Sequence, residues 1–143
     1  MIKTTDSLQV IYEGWNGYHQ SIVNAVKPLA PDQLIWRPAK NLYSVGELVR
    51  HINLGRITRF MRMDVPGCAE LASQIDAWER DKDNNQHIIE EKILIADHPI
   101  ELVYWLEITW QMIENILNTW KISDLCLSRL NWMFGSVYHL CRM

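Results

Sequence analysis

The apolar positions near the start of the chain recur at helical spacing. From Leu8 they follow alternating steps of three and four residues: Leu8, Ile11, Trp15, Tyr18, Ile22 and Ala25. This is the apolar stripe of a helix of about 20 residues, and Pro28 and Pro31 end it. Gly14 and Gly17 lie inside this segment, and each weakens an isolated helix by up to about 1 kcal/mol. The pattern therefore predicts a first helix that depends on packing for its stability.

A second helical segment has a marked start. Residues 31–41 have the composition of a loop, and Trp36 is predicted to anchor it. The sequence from Ser44 to Glu47 then matches a capping box, in which a serine hydroxyl and a glutamate carboxylate accept hydrogen bonds from amide groups at a helix start. We expect this helix to continue to about Met63. Its predicted inward row comprises Leu48, Ile52, Gly55 and Phe60, with His51 beside it.

The middle of the chain is less regular. Residues 69–80 are compatible with a helix around Leu71, Ile75 and Trp78. Residues 81–97 read as a polar loop around one apolar piece, 93–95. The periodicity of so short a run distinguishes neither a helix nor a strand, so both remain open for it.

Helical periodicity returns after Asp97 and His98, where Pro99 suits a first helical turn. The apolar stripe here comprises Leu102, Leu106, Thr109, Ile113, Ile116 and Trp120. A last helix is predicted over 129–143, with an inward row of Leu130, Met133, Val137 and Leu140. Four amphipathic helices without a convincing strand pair predict an all-α, up-and-down four-helix bundle, with residues 1–143 as a single domain.

Composition and charge exclude several classes of protein. The 143 residues are 48% hydrophobic and 22% charged, which is typical of a globular chain and not of a disordered one. The formal charge of -3 and the lack of a basic helix argue against a nucleic-acid partner. No stretch approaches a membrane span, and the first residues lack the apolar core of a secretory signal, so we expect a cytoplasmic protein without a membrane partner. Seven tryptophans indicate large side chains in a core or an interface.

Common catalytic motifs are absent from the sequence. It contains no GxGxxG, no GxxxxGK[ST], no GxSxG and no HExxH, so a Rossmann cofactor, a nucleoside triphosphate and a serine nucleophile are unsupported. Cys68, Cys126 and Cys141 form no CxxC pair and are predicted to be reduced thiols.

Histidine is the residue type best suited to build a reactive centre here. His19, His87 and His98 are predicted to lie off the apolar stripe, in a polar loop and at a helix start, respectively. His51 lies beside an inward row, four residues after Glu47, and a buried imidazole needs a partner for each nitrogen. A metal ion with a carboxylate, or two hydrogen bonds without a metal, would satisfy it equally. His139 lies near the apolar row of the last helix, where a bundle could bring it to His51.

Two consecutive motifs resemble the signature of the DinB/YfiT-like superfamily. Asp32 to Ala39, read as DQLIWRPA, is similar to the family's WRP-type loop. Tyr43 to Ile52, read as YSVGELVRHI, is similar to its S-[IV]-[GA]-E-L-x-x-H-[IL] helix. The stretch from Ile100 to Trp120 is similar to its penultimate long helix, so that the resemblance covers nearly the whole chain in order.

The resemblance implies a four-helix bundle, often dimeric, with a divalent metal (nickel, zinc or iron) held by three histidines. Some relatives are metal-dependent thiol S-transferases or isomerases that use a small thiol. The first metal ligand carries over to His51, whereas the family's HxxxH pair on the last helix is absent. His139 is the single histidine there, about one residue out of register, and a helix neighbour is turned by about 100°.

Two functions remain open from the sequence. The first is a DinB-like homodimer with an incomplete histidine triad at His51 and His139, which binds a divalent metal and acts as a transferase or hydrolase on a small-molecule or thiol ligand. The second is a non-catalytic binding or interaction bundle that has lost the metal centre. The catalytic residues and the substrate are not indicated.

Overall fold

The computed structural model describes residues 8–10, 12–63, 65–74, 78–80, 82, 86–88, 97–121 and 123. In chain order its elements are a 3₁₀ helix (Leu8–Val10), α1 (Trp15–Val26), α2 (Pro31–Ile35), α3 (Val45–Arg62), α4 (Cys68–Ser73), strands β1 (Trp78–Arg80) and β2 (Gln86–Ile88), and α5 (Pro99–Thr119). The described residues are mostly helical, which confirms the predicted class in its coarse form. The predicted helix over 129–143, with His139, lies outside the described residues.

The helix α1 begins later than predicted and buries a different face. Residues 12–14 form a turn, in which the Trp15 amide donates to the Tyr12 carbonyl at 3.0 Å. The buried residues of α1 are His19, Val23 and Val26, whereas Tyr18 is 73% exposed. A step of one residue turns a helix by about 100°. The predicted stripe through Tyr18 was therefore wrong by one position from the second turn onward.

The segment between α1 and α3 is partly helical, where the sequence predicted a loop. Pro31 occupies the first turn of α2, a position that needs no amide hydrogen. Leu34 is fully buried and fixes α2 to the core, whereas Trp36 is 65% exposed. Leu34, and not the predicted Trp36, is therefore the anchor of this segment.

The start of α3 confirms the predicted capping box. The Glu47 amide donates to Ser44 Oγ at 3.2 Å, and the Ser44 amide donates to Glu47 Oε2 at 2.8 Å. The helix ends at Arg62, with Met63 as its C-cap, also as predicted. The predicted inward position of Leu48 is wrong, because its side chain is 48% exposed and Val49 is buried in its place.

The capping box gives a pH-dependent contribution to stability. The hydrogen bond from the Ser44 amide, assisted by the charge of Arg37, lowers the pKa of Glu47 below its ordinary value of 4.5. Because the pKa is lowered in the folded protein, the Glu47 carboxylate stabilises the fold at a pH above its ordinary pKa. This stabilisation is lost as the pH falls through the lowered pKa of the folded state. We expect Glu47→Gln to reduce the free energy of unfolding by about 1 kcal/mol at pH 7, and the difference from wild type to shrink below pH 4.

Urea unfolding at pH 7, 5 and 3 measures this difference. Glu114→Gln, at an exposed position of α5, is the control and removes one carboxylate outside the cap. A Glu47→Gln deficit that persists unchanged at pH 3 would contradict the role of the carboxylate in the cap.

A short strand pair follows α4, where the sequence was compatible with a helix over 69–80 and predicted a polar loop over 81–97. The helix α4 ends at Ser73, residues 78–80 form β1 and residues 86–88 form β2, so both interpretations are wrong at the strands. β1 and β2 pair antiparallel, with Trp78 opposite Ile88 and Arg80 opposite Gln86. The apolar piece 93–95 lies outside the described residues.

The long helix α5 is the centre of the core and begins at Pro99 as predicted. It packs against α3, α1 and the 3₁₀ helix. The predicted stripe is buried from Leu102 to Ile116, and Trp105 and Trp110 beside it are also buried, at 7% exposure each. In the part of the chain that the structure describes, no helix is both long and apolar enough to cross a membrane.

Candidate functional site

A pocket of about 590 Å³ opens between α1, α3 and α5, and we call it the central pocket. Its aromatic lining residues are Trp15, Tyr18, Phe60 and Trp110. Its basic lining residues are His19, His51, Arg56 and Arg59. Ile22, Ile52, Gly55 and Ile113 complete the lining. This volume and mixture of apolar surface with a few polar groups are typical of small-molecule sites.

His51, the first predicted metal ligand, lies on the wall of the central pocket. It is exposed, and it projects from α3 one turn before Gly55, which lines the same wall. Its predicted partner His139 lies outside the described residues, so the pairing of the two imidazoles stays a prediction. The sequence placed His51 beside the inward row of its helix, and the structure leaves its side chain exposed at the pocket wall.

His19 is the main correction among the histidines. The sequence predicted an exposed side chain, but His19 is only 1% exposed. Its ring stacks on Trp110, with centroids 5.0 Å apart and planes 11° apart. Its Nε2 lies 3.2 Å from Glu107 Oε2. Since an ionised carboxylate can only accept, Nε2 donates the proton and Glu107 fixes the ring's tautomer.

The other ring nitrogen of His19 has no such partner. Nδ1 is buried and lacks a hydrogen-bond partner among the described residues. With Nε2 protonated, Nδ1 of a neutral ring carries a lone pair. An unsatisfied buried polar atom of this kind lowers the stability of the folded state by on the order of 1–3 kcal/mol. The His19 ring therefore carries a destabilising polar atom at the pocket wall.

Arg56 reaches from α3 to α5 at the floor of the central pocket. Its Nη1 donates to the Leu106 carbonyl at 3.3 Å and to Thr109 Oγ1 at 3.1 Å. Burial lowers the pKa of Arg56, because the protein interior disfavours the charged form. Both acceptors are neutral, so they stabilise the guanidinium by hydrogen bonding without a compensating charge.

A buried polar layer holds Arg56 in this position. Asn53 and Thr109 are fully buried and face each other between α3 and α5. Asn53 Nδ2 donates to the Leu102 carbonyl at 3.3 Å, and the Thr109 hydroxyl lies 2.8 Å from the Trp105 carbonyl. The hydroxyl of Thr109 donates within its own helix and thus leaves its oxygen free to accept from Arg56.

Ion pairs in the described segments are formed by His19 with Glu107 and by Arg37 with Glu47. Neither Arg56 nor Arg59 has a carboxylate within ion-pair distance among those segments, and the lining of the central pocket contains no Asp or Glu. The two arginines of the pocket therefore lack a carboxylate partner in the described part of the chain, whereas His19 is paired with Glu107.

Arg56 and Arg59 could not be recognised as site residues from the sequence pattern. Single arginines in an amphipathic helix are usually part of a solvated face. The available signal was weak: Asn53 and Arg56 lie three residues apart, on one face of a helix, next to buried positions. Only the packing of α5 on that face turns it into the wall of a pocket.

A metal site is only partly supported by these residues. No group of three or more His, Cys, Asp or Glu side chains lies close enough to hold a metal among residues 8–123 as far as they are described. His51 offers one imidazole at the wall, whereas the neighbouring guanidinium groups repel a divalent cation. His139, the other predicted ligand, lies outside the described residues.

The two motifs that carry the family resemblance are joined in the structure. The Arg37 guanidinium of the WRP-type loop donates to Glu47 Oε1 of the capping box. Six exposed hydrophobic side chains surround this junction: Ile35, Trp36, Leu42, Tyr43, Val45 and Leu48. The two motifs thus share an ion pair and carry exposed apolar side chains.

No protein-family model, curated protein or solved structure matches the chain. The likeness to the DinB/YfiT-like superfamily therefore remains a prediction from the motifs at 32–39 and 43–52. The structural feature that bears on function is the central pocket with the residues that line it.

Proposed function

We propose that this protein is a DinB-like four-helix bundle that binds a small molecule in the central pocket. The observation that carries the proposal is the pocket itself, whose walls come from α1, α3 and α5. Long helices position its side chains, so the site is held by packed secondary structure and not by loops. Its aromatic and basic lining offers both apolar contact and hydrogen-bond donors.

In the first form of this function, His51 ligates a divalent metal, nickel, zinc or iron, together with His139. Its place on the pocket wall supports this role. A metal there would act as a Lewis acid or lower the pKa of a bound thiol or water, as a thiol transferase or a hydrolase requires. The basic side chains of α3 would then orient the substrate.

The second form is a non-catalytic binding protein without a metal. The observation that favours it is the basic wall formed by Arg56 and Arg59, which attracts anions and repels cations. The same pocket would then bind its ligand through hydrogen bonds and apolar contact alone.

Metal content distinguishes the two forms. Protein purified without a histidine tag is analysed for metals, alongside His51→Ala and the control His98→Ala, which alters an exposed histidine at the start of α5. The metal form predicts near-stoichiometric metal in wild type and in His98→Ala, and its loss in His51→Ala. Metal-free wild-type protein with unchanged stability in chelator would exclude that form and support the second.

We further propose that the protein is a homodimer in the cytoplasm. The exposed apolar side chains around Trp36 and Tyr43 support an interface, because large exposed apolar patches commonly mark protein contacts. Light scattering on the purified chain tests this proposal, and a monomer at high concentration would contradict it.

A further inference from the structure

The charges around the central pocket have one sign. Its basic lining residues are His19, His51, Arg56 and Arg59, and no carboxylate is among the lining residues. Glu107, which does not line the pocket, pairs with Nε2 of His19 and is half exposed to solvent. The two guanidinium groups are thus without a compensating charge in the described part of the pocket.

Arg56 is the more informative of the two arginines. It is partly buried, and its hydrogen bonds to Leu106 and Thr109 use one of its terminal nitrogens. A guanidinium carries five N–H donors in a fork that matches a carboxylate. Placing such a group at a pocket without a charged partner is unfavourable in the free protein, and a bound anion would supply the missing charge.

The remaining surface of the pocket is apolar and partly planar. The ring of Trp110 is stacked with that of His19 on one side. Trp15, from α1, contributes a second indole. Aromatic lining of this kind offers apolar contact to the body of an organic ligand, which a small inorganic ion could not use.

We propose that the central pocket binds an organic carboxylate with a planar apolar body, with the carboxylate on Arg56 and Arg59 and the body against Trp15 and Trp110. This deepens the proposed function and rests on its small-molecule pocket. It does not require a metal, because the arginines alone provide the charge and the donors.

Titration calorimetry with 2-naphthoate as the probe tests the proposal, and 2-naphthamide is its neutral counterpart. We expect 2-naphthoate to bind and Arg59→Gln to weaken it about tenfold, since a charge-assisted hydrogen bond is lost. Lys40→Gln, which removes the same charge from an exposed loop outside the pocket, should leave the affinity unchanged. Equal binding of 2-naphthamide, or equal weakening by Lys40→Gln, would overturn carboxylate recognition.

A pair of glycine variants tests the location. Gly55 lines the pocket, and a Cβ added there meets no atom within 4 Å. Gly17, in α1 and outside the pocket lining, has the same free space. We expect Gly55→Leu to abolish binding by filling the pocket and Gly17→Leu to retain it, with both variants folded by circular dichroism. Retained binding in Gly55→Leu would place the ligand elsewhere and overturn the proposal.

The outcomes separate this inference from the proposed function. If His51→Ala loses the metal and the wild-type protein does not bind 2-naphthoate, the metal function is supported and carboxylate binding is refuted. Binding that Arg59→Gln weakens, in metal-free protein, would support carboxylate recognition independently of the metal form, which the metal analysis decides. Inorganic sulfate that binds as tightly as 2-naphthoate would refute the role of the planar body.

Discussion

Replacing Trp110 by alanine is expected to reduce the free energy of unfolding by about 3–5 kcal/mol. Trp110 is 7% exposed on α5, belongs to the core that includes Leu54 and Ile113, and stacks on the buried ring of His19. Truncation removes a large apolar surface and leaves a cavity beside the central pocket. It also removes the indole ring that stacks on His19, whose Nδ1 has no hydrogen-bond partner among the described residues. Urea unfolding followed by circular dichroism measures the loss without relying on tryptophan emission.

A second tryptophan provides the matched control. Trp36 is 65% exposed, so Trp36→Ala makes the same chemical change at the surface. In the monomer, where the proposed dimer interface around Trp36 is not formed, its effect on the free energy of unfolding should stay within about 0.5 kcal/mol. Comparable losses in the two variants would contradict the burial of Trp110 against His19. Trp110→Phe, which keeps a ring beside His19, is expected to fall between wild type and Trp110→Ala.

Leu106→Ala is expected to cost about 2–5 kcal/mol of unfolding free energy. The side chain has no solvent exposure and lies in the cluster where α5 meets Val23, Leu34 and Val49. Its carbonyl also accepts from Arg56, but the substitution leaves this backbone bond in place. The expected loss is therefore a packing and cavity effect at the junction of α1, α2, α3 and α5.

Leu48→Ala is the control for this prediction and a test of how α3 is oriented. The periodicity of the sequence places Leu48 in the inward row, whereas the structure leaves it 48% exposed. We expect Leu48→Ala to cost less than about 1 kcal/mol in the monomer. A loss equal to that of Leu106→Ala would contradict the exposure of Leu48 and place its side chain in the core.

The site was less predictable than the helices that form it. His51 could be identified because it lies in a local motif with Glu47, whose cap the structure confirms. His19 could not, because its burial depends on Glu107 and Trp110, which lie far away in sequence. Arg56 was missed for the same reason, since its acceptors Leu106 and Thr109 are on another helix. Polar residues at such positions look like surface residues until the facing element is known.

Local signals determined where the two longest helices, α3 and α5, begin. The capping box at Ser44, Pro99 in the first turn of α5, and the stripe from Leu102 to Ile116 each act within a few residues. These interactions are already defined by neighbouring residues along the chain, which is why the sequence alone predicts them. The mostly helical class follows from the same signals.

Only the tertiary structure decided which face of each helix became the core. On α1 the buried side passes through His19 and not Tyr18, and on α3 through Val49 and not Leu48. Neighbouring positions differ by about 100° around the helix, so similar apolar patterns can be buried at either rotation. Contacts with α5 select between them. The rotation of α3 also places His51, Arg56 and Arg59 in the lining of one pocket. A pocket forms between the faces of different helices, whereas a sequence pattern indicates only which residues share a face of one helix.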